Sequence, residues 1–142
     1  MNGENIGFIN RLCGVLDIDK IYLIHNGIIP EIRESKIKRT ATSSFNLVER
    51  EWIHINEVKN HLPDDYQLVA VDTTSESKNI FKTKLNNKVA FVLGNENIGI
   101  TDEMLALCNL SIHIPIIGKT HSLNISHAFS IIGFEYLKQQ MY

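Results

Sequence analysis

The amino-acid sequence predicts an α/β domain in which helices cover both faces of a mostly parallel sheet. Residues 21–24, 66–71 and 89–93 are apolar along most of their length, which is typical of strands that are buried on both faces. Stretches with apolar residues at helical spacing separate these runs. Because strands and helices alternate along the chain, parallel pairing with helical crossovers is favoured.

Size and composition limit the class of protein. With 142 residues the chain is expected to form one domain, residues 1–142, and its net charge of −2 argues against a polycation that coats nucleic acid. No apolar run approaches ~18 residues, and the N-terminus lacks a basic and then apolar pattern, so we expect neither a membrane span nor a secretory signal. Cys13 and Cys108 are isolated, which indicates reduced thiols in a cytoplasmic protein.

The first half of the chain is predicted to contain two strands and up to three helices. Ile6, Ile9 and Leu16 lie on one helical face, and Asp17 tolerates the left-handed conformation that ends a helix. Asn56 is a candidate cap for a short helix through Leu62. The predicted elements in order are a helix at 5–16, a strand at 21–24, a short helix and loop at 30–44, a strand within 45–53 that includes Leu47 and Val48, and a helix at 56–62.

The second half is predicted to contain three strands and two longer helices. Strands at 66–71 and 89–93 are joined through a helical turn near 80–84. Thr101 is predicted to cap a helix that ends near Asn109. Ile112, Ile114 and Ile116 predict the last strand, and Ser122 is expected to begin a helix through about residue 139. This final helix is apolar round more than one face, which favours burial against a second subunit.

Four cations cluster between residues 30 and 40. Arg33, Lys36, Lys38 and Arg39 form either an ordinary solvated face or a patch that contacts phosphates. The pattern alone leaves both interpretations open.

Glycines and polar residues collect where three predicted strands end. These strand exits are residues 72–75, 94–99 and 118–124. Because parallel strands share one carboxyl edge, we expect the three exits to form one pocket, with Gly94 allowing a ligand close to the backbone. The buried-cap alternative, in which the polar residues after Ile116 satisfy only their own backbone, is equally open.

Several common chemistries are disfavoured. The chain has no G-x-G-x-x-G after its first strand and no G-x-x-x-x-G-K-[ST], which argues against an ordinary dinucleotide fold and a P-loop NTPase. His121 and His127 lack matching cysteines, so a zinc site is not expected. Ser122 lacks the G-x-S-x-G setting of a hydrolase nucleophile.

Three motifs in order resemble those of the SpoU (TrmH-type) branch of the SPOUT RNA 2′-O-ribose methyltransferases. The first is N-x-G-x-x-x-R, with Asn5, Gly7 and Arg11. The second is L-G-x-E-x-x-G, from Leu93 to Gly99. The third, I-P-x-x-G-x-x-x-S-L-N-x-S, begins at Ile114 and is long enough to be specific.

This resemblance implies a fold, a cofactor and an assembly. The fold would be an α/β domain with a deep C-terminal trefoil knot, which sequence physics alone would not propose. The cofactor would be S-adenosylmethionine, and the enzyme would be a homodimer with no membrane partner. Family positions that line the cofactor site correspond here to Asp72 or Thr73, Gly94, Ile114, Ser122 and Leu123.

The implied reaction is in-line attack of an RNA ribose 2′-hydroxyl on the cofactor's methyl group, with tRNA slightly favoured over rRNA. The family credits the motif arginine, here Arg11, with activating the hydroxyl. A guanidinium stays protonated, so binding the adjacent phosphate and stabilising the developing alkoxide is an equally weighted role. The other positioning residues would be Asn5, Glu96, Ser122 and Asn124, and the candidate RNA contacts are Arg33, Lys36, Lys38, Arg39 and Lys119.

The chain also departs from the family pattern. No obvious first strand precedes Asn5, His127 stands where small or apolar residues are usual, and Asp17 stands where glycine is common. The alternative expectation is therefore a non-catalytic RNA-binding protein of the same fold.

Overall fold

The computed structural model describes residues 1–142, which form two compact units, Met1–Asp64 and Asp65–Tyr142. All strand pairs in both units are parallel, in a two-stranded and a four-stranded sheet. The prediction of parallel α/β structure is confirmed, although the strands form two sheets rather than one. The predicted knot and single domain stay predictions.

The first unit pairs two strands and packs two helices closely. Its elements are α1 (Gly3–Val15), β1 (Lys20–His25), α2 (Glu34–Ala41), β2 (Glu49–His54) and α3 (Val58–His61). The strands pair from Lys20 opposite Glu49 to His25 opposite His54. Asp17 has φ 58°, which confirms its predicted helix-ending conformation.

Two predicted boundaries in this unit are wrong. The strand expected within 45–53 begins only at Glu49, because Thr42–Asn46 winds into a 3₁₀ helix. The expected Asn56 cap is replaced by His54, whose Nδ1 accepts from the Asn56 N–H at 3.1 Å. The reason is that a 3₁₀ turn, Ile55–Glu57, follows β2 directly, so the last strand residue takes the capping position.

α1 and α2 approach so closely that only glycine fits at position 7. A Cβ there would overlap the Thr40 hydroxyl and lie 2.5 Å from the Ile37 carbonyl oxygen. Thr40 Oγ1 donates to the Glu4 carbonyl at 2.9 Å, which ties the two helices at this contact. The glycine of the N-x-G-x-x-x-R motif is therefore a packing requirement.

The second unit contains a four-stranded sheet with strand order β4-β6-β3-β5. Its elements are β3 (Gln67–Val71), β4 (Lys78–Asn79), β5 (Val89–Leu93), α4 (Asp102–Leu107), β6 (Leu110–His113) and α5 (Ile125–Met141). The Thr101 cap of α4 is confirmed, since its side chain accepts from the Met104 N–H. The turn near residue 80 is present as the 3₁₀ helix Ile80–Lys82.

The core of this unit joins the sheet to α5. Its fully buried side chains are Val69, Ile80, Leu85, Ile112 and Ile132, and the partly buried Phe91 and Tyr136 pack against them. On α5, Ile131 and Phe134 remain 37% and 47% exposed, so part of a second apolar face is uncovered. No helix of the structure is both long enough and apolar enough to cross a membrane.

Two expectations at the C-terminal strand and helix are wrong. Strand β6 ends at His113, so Ile114 and Ile116 lie beyond it; Pro115 has no N–H to donate to a ladder. Ser122 does not cap α5. The cap is Asn124, because its Oδ1 accepts from the Ser126 N–H at 2.9 Å.

Gly7→Ala should lower the free energy of unfolding by about 3 kcal/mol or more, because the helices must separate to admit the methyl group. Urea denaturation followed by circular dichroism measures this loss. Gly118→Ala is the matched control, since a Cβ at Gly118 meets nothing within 4 Å. Equal stability of the two variants would contradict the close contact.

Candidate functional site

Parallel pairing places three strand exits side by side in the second unit. Val71, at the end of β3, pairs with Leu93 of β5 on one side and with Ile112 of β6 on the other. The Asp72 N–H donates to the Ile112 carbonyl at 3.1 Å, which extends the ladder by one residue. The strand ends meet at one edge as predicted, but the pocket at this edge is lined by residues that follow β3 and β6 and by none of residues 94–99.

A small pocket of about 140 Å³ opens at this edge. Its lining combines a carboxylate, hydroxyls, imidazoles and aliphatic side chains: Val71, Asp72, Thr73, His113, Ile114, Ile116, His121, Ser122, Leu123 and Ala128. Five of the six predicted cofactor-binding residues line it, and Gly94 does not. Ligand pockets usually measure roughly 300–1,000 Å³, so this one encloses only part of a ligand of cofactor size.

Gly94 is needed by its own loop. A Cβ at Gly94 would lie 2.6 Å from the Gly99 carbonyl carbon and 2.8 Å from the Ile100 nitrogen. The loop closes through two backbone hydrogen bonds between Asn95 and Gly99, of 3.0 and 2.8 Å. Gly94 is therefore required by the packing of its own loop, and the close approach of a ligand to its backbone stays a prediction.

The loop is also set beside Asp72. Gly99 has φ 69°, and a Cβ built on it would lie 3.6 Å from Asp72 Oδ2. Glu96 is exposed on the same loop. The second motif thus forms a tight turn whose last glycine lies next to a carboxylate of the pocket.

The third motif builds the start of α5 as well as the pocket wall. Asn124 Oδ1 accepts both from the Ser126 N–H at 2.9 Å and from the Ser126 hydroxyl at 2.7 Å, and Ser126 is buried. Ser122 and Leu123 precede this cap and remain exposed at the pocket. The capping interpretation therefore applies to Asn124 and Ser126, of which only Ser126 is buried, and the pocket interpretation applies to Ser122.

His113 was missed by the sequence analysis. Its Nδ1 lies 2.9 Å from Ser77 Oγ, which also donates to the Thr74 carbonyl at 2.8 Å. Because that hydroxyl has a single proton, this assignment makes His113 the donor through Nδ1, with Nε2 as the acceptor of the neutral ring. A histidine directly before the Ile-Pro pair was the available signal, but the Ser77 contact depends on β4 pairing with β6.

In the first unit, α1 contains the two remaining predicted catalytic residues. Asn5 is buried, and Arg11 is exposed on a stripe with Phe8 and Val15. The neighbouring Asn10 is fully buried; its Oδ1 accepts from Arg50 Nη1 at 2.6 Å and its Nδ2 donates to the Ser44 carbonyl at 2.7 Å. These two hydrogen bonds fix the rotation of α1 about its own axis, and thereby the face of the helix on which Arg11 lies.

The candidate RNA contacts differ in their surroundings. Arg33, Lys36 and Lys38 are exposed in the first unit, whereas Arg39 forms an ion pair with Glu4. Lys119 is exposed on the loop that precedes Ser122 in the second unit. Three of the four cations of the α2 segment are therefore available to phosphates without breaking an ion pair.

Neither cysteine lines the pocket. Burial raises the pKa of the Cys13 thiol to about 12, so it stays protonated at neutral pH. Cys108 is half-buried, and its thiol donates to the Met104 carbonyl at 3.3 Å. No thiolate chemistry is expected at this site.

Comparison with known proteins decides the family. The SpoU rRNA methylase family matches residues 1–134. The chain belongs to this family. The SpoU resemblance predicted from the three motifs is therefore confirmed; the second motif forms the loop after β5, and residues of the third motif line the pocket.

This SpoU chain is similar to part of a longer curated relative. The tRNA (guanosine(18)-2′-O)-methyltransferase of Borreliella burgdorferi is 33% identical over 111 residues, which cover 73% of this chain and 51% of that enzyme. This chain thus spans about half the length of that relative.

Two solved structures share the SpoU fold. The TrmH/SpoU tRNA modifying enzyme of A. aeolicus has a TM-score of 0.79 and 28% identity, covering 99% of this chain and 71% of that chain. AviRb of Streptomyces viridochromogenes, a SpoU methyltransferase in complex with AdoMet, has a TM-score of 0.81 at 21% identity, covering 99% and 57%. The α/β fold predicted from the sequence is confirmed.

Arg50→Met should lower the free energy of unfolding by about 2–3 kcal/mol, because it leaves the buried Asn10 oxygen without its charged donor. Lys88→Met, which removes an ion pair with Asp65 whose two side chains are both more than half exposed, is the control and should cost much less. Guanidinium denaturation compares the two. A smaller loss for Arg50→Met than for the control would show that the Asn10 contact does not hold α1.

Proposed function

We propose that this chain is an RNA methyltransferase that transfers a methyl group from S-adenosylmethionine to a ribose 2′-hydroxyl. The main support is the pocket at the joined ends of β3 and β6, lined by residues of the third SpoU motif. Family membership and the AdoMet complex of the related fold support the same cofactor.

The donor set of the pocket fits this cofactor. The Asp72 carboxylate matches a cationic ligand, and the hydroxyls of Thr73 and Ser122 match sugar hydroxyls or a carboxylate. Ile114 and Leu123 provide apolar contact for a flat base. When bound, the cofactor would supply an electrophilic methyl group on a sulfonium sulfur. The rest of the cofactor would be the leaving group, as a neutral thioether.

Arg11 would act on the RNA. In the transfer, the ribose oxygen forms a bond to the methyl carbon as the carbon–sulfur bond breaks, and the hydroxyl proton passes to solvent or a base. Arg11 stays protonated, so its guanidinium stabilises the developing negative oxygen or binds a neighbouring phosphate. The exposed position of Arg11 on α1 leaves its side chain accessible to such a substrate.

The substrate proposed is tRNA, with rRNA as the second candidate. The Borreliella burgdorferi relative and the A. aeolicus structure are named for tRNA, whereas the family description names rRNA. Arg33, Lys36, Lys38, Arg39 and Lys119 are the proposed phosphate contacts. The proposed compartment is the cytoplasm, in which the thiols of Cys13 and Cys108 stay reduced.

The proposed assembly is a homodimer. Ile131 and Phe134 leave an apolar strip of α5 exposed, and the loop residues Ile116, Ile117 and Leu123 are also exposed. Contiguous exposed apolar patches mark interaction surfaces, and these residues are the proposed contribution to one. A second copy covering them would also enclose the shallow pocket.

Cofactor binding tests the pocket directly. Isothermal titration calorimetry should show one S-adenosylmethionine per chain, and Leu123→Arg should weaken binding at least tenfold, because it places a cation beside a sulfonium. Leu47→Arg, at a leucine 69% exposed in the first unit, is the control and should bind normally. No binding by the wild-type protein would favour the non-catalytic RNA-binding alternative.

Loss of Arg11 tests the chemistry. Arg11→Ala should lower methyl transfer by at least a hundredfold, as removal of an oxyanion donor does, while calorimetry shows unchanged cofactor affinity. Tritiated methyl incorporation into tRNA and rRNA from a deletion strain measures the rate and identifies the substrate. Near-normal turnover of Arg11→Ala would refute its assigned role.

A further inference from the structure

Three aromatic side chains cluster at the carboxyl end of the two-stranded sheet in the first unit. The residues that line the proposed cofactor pocket all belong to the second unit. His25 ends β1 and His54 ends β2, and the two are opposite each other in the register. Their ring centroids lie 5.4 Å apart at 88°, and the Trp52 ring lies 6.3 Å from that of His25 at 60°. All three residues are half-buried, so none of them is fully enclosed by the protein.

Both imidazoles are held by backbone donors. His25 Nδ1 accepts from the Gly27 N–H at 3.1 Å, and His54 Nδ1 accepts from the Asn56 N–H at 3.1 Å. Each neutral ring must therefore have its proton on Nε2. The rings are oriented before any ligand arrives, which reduces the entropy lost on binding.

The surroundings favour a flat ligand that has an apolar ring face and polar atoms at its edge. Parallel strands usually bind ligands at their carboxyl ends, where these three rings lie. The chain then continues through Ile28 and Ile29, which are 81% and 54% exposed. The exposed cation Arg33 follows a few residues later, so phosphate-binding groups begin close by in the chain.

We propose that His25, Trp52 and His54 bind one unstacked nucleobase of the RNA substrate. Aromatic and imidazole faces stack on bases, and the two Nε2–H groups donate to base carbonyl or ring-nitrogen acceptors. The site would hold a nucleotide of the substrate and take no part in the transfer itself. This inference rests on the proposed RNA methyltransferase function.

The protein's only tryptophan makes the test specific. Titration with a single-stranded RNA decamer should quench Trp52 fluorescence, because a stacked base lies against the cluster. The same decamer with abasic sites keeps its phosphates and should leave the fluorescence unchanged. Equal quenching by both oligonucleotides would overturn the proposal, since the change would then come from phosphate binding.

The variant His25→Asn/His54→Asn removes the rings and keeps the local structure. An asparagine side chain also accepts from the N–H two residues on, as both histidines do, so the turns at Gly27 and Asn56 are retained. RNA affinity, measured by fluorescence anisotropy, should fall about tenfold, as expected for the loss of one stacked base. His61→Ala removes the ring paired with Tyr22 at 5.3 Å, outside the cluster, and should bind RNA normally.

The outcomes separate this proposal from the function on which it rests. Normal RNA affinity in the asparagine variant, together with active methyl transfer by the wild-type protein, would refute the base site and leave the proposed function standing. A wild-type protein that neither binds RNA nor transfers methyl groups would refute both. A weakened variant that still binds S-adenosylmethionine normally is the expected result.

Discussion

The pairing of β3 with both β5 and β6 is the constraint on which the site depends. Because all three strands are parallel, their carboxyl ends lie at one edge of the sheet. The residues that directly follow the strands therefore begin side by side at that edge. The Asp72 N–H bond to Ile112 continues this alignment past the end of β3. Residues separated by about fifty positions in sequence, such as Asp72 and Ser122, thereby line a common pocket.

Many motif residues have a structural role in the backbone that does not depend on a ligand. Gly7 permits the contact between α1 and α2, and Gly94 permits the closure of the Asn95–Gly99 turn. Asn124 satisfies the first turn of α5. A motif therefore mixes two kinds of residue: Gly7 and Ser126 are buried and support the backbone, whereas Arg11 and Ser122 are exposed and are the candidates for chemistry.

The sequence predicted features that depend on local rules and missed those that depend on pairing. β5 begins and ends where its apolar run does, and Asp17 adopts the expected left-handed conformation. The end of β6 was misplaced because the isoleucine alternation continues through Pro115, which cannot extend the ladder. The His113–Ser77 contact and the His25–His54 pair require a strand register that periodicity alone does not supply.

The shallow pocket and the exposed apolar residues have a common physical explanation. Residues 115–124 follow β6 without regular structure, and Ile117 is fully exposed there while Leu123 is 44% exposed. A loop that exposes such side chains gains burial energy only when another surface covers it, at roughly 25 cal/mol per Å² of apolar area. Covering the loop would also deepen a pocket that has only about 140 Å³ in the isolated chain. In the proposed homodimer, the contact that stabilises the loop would also complete the site, so assembly and cofactor binding should favour each other.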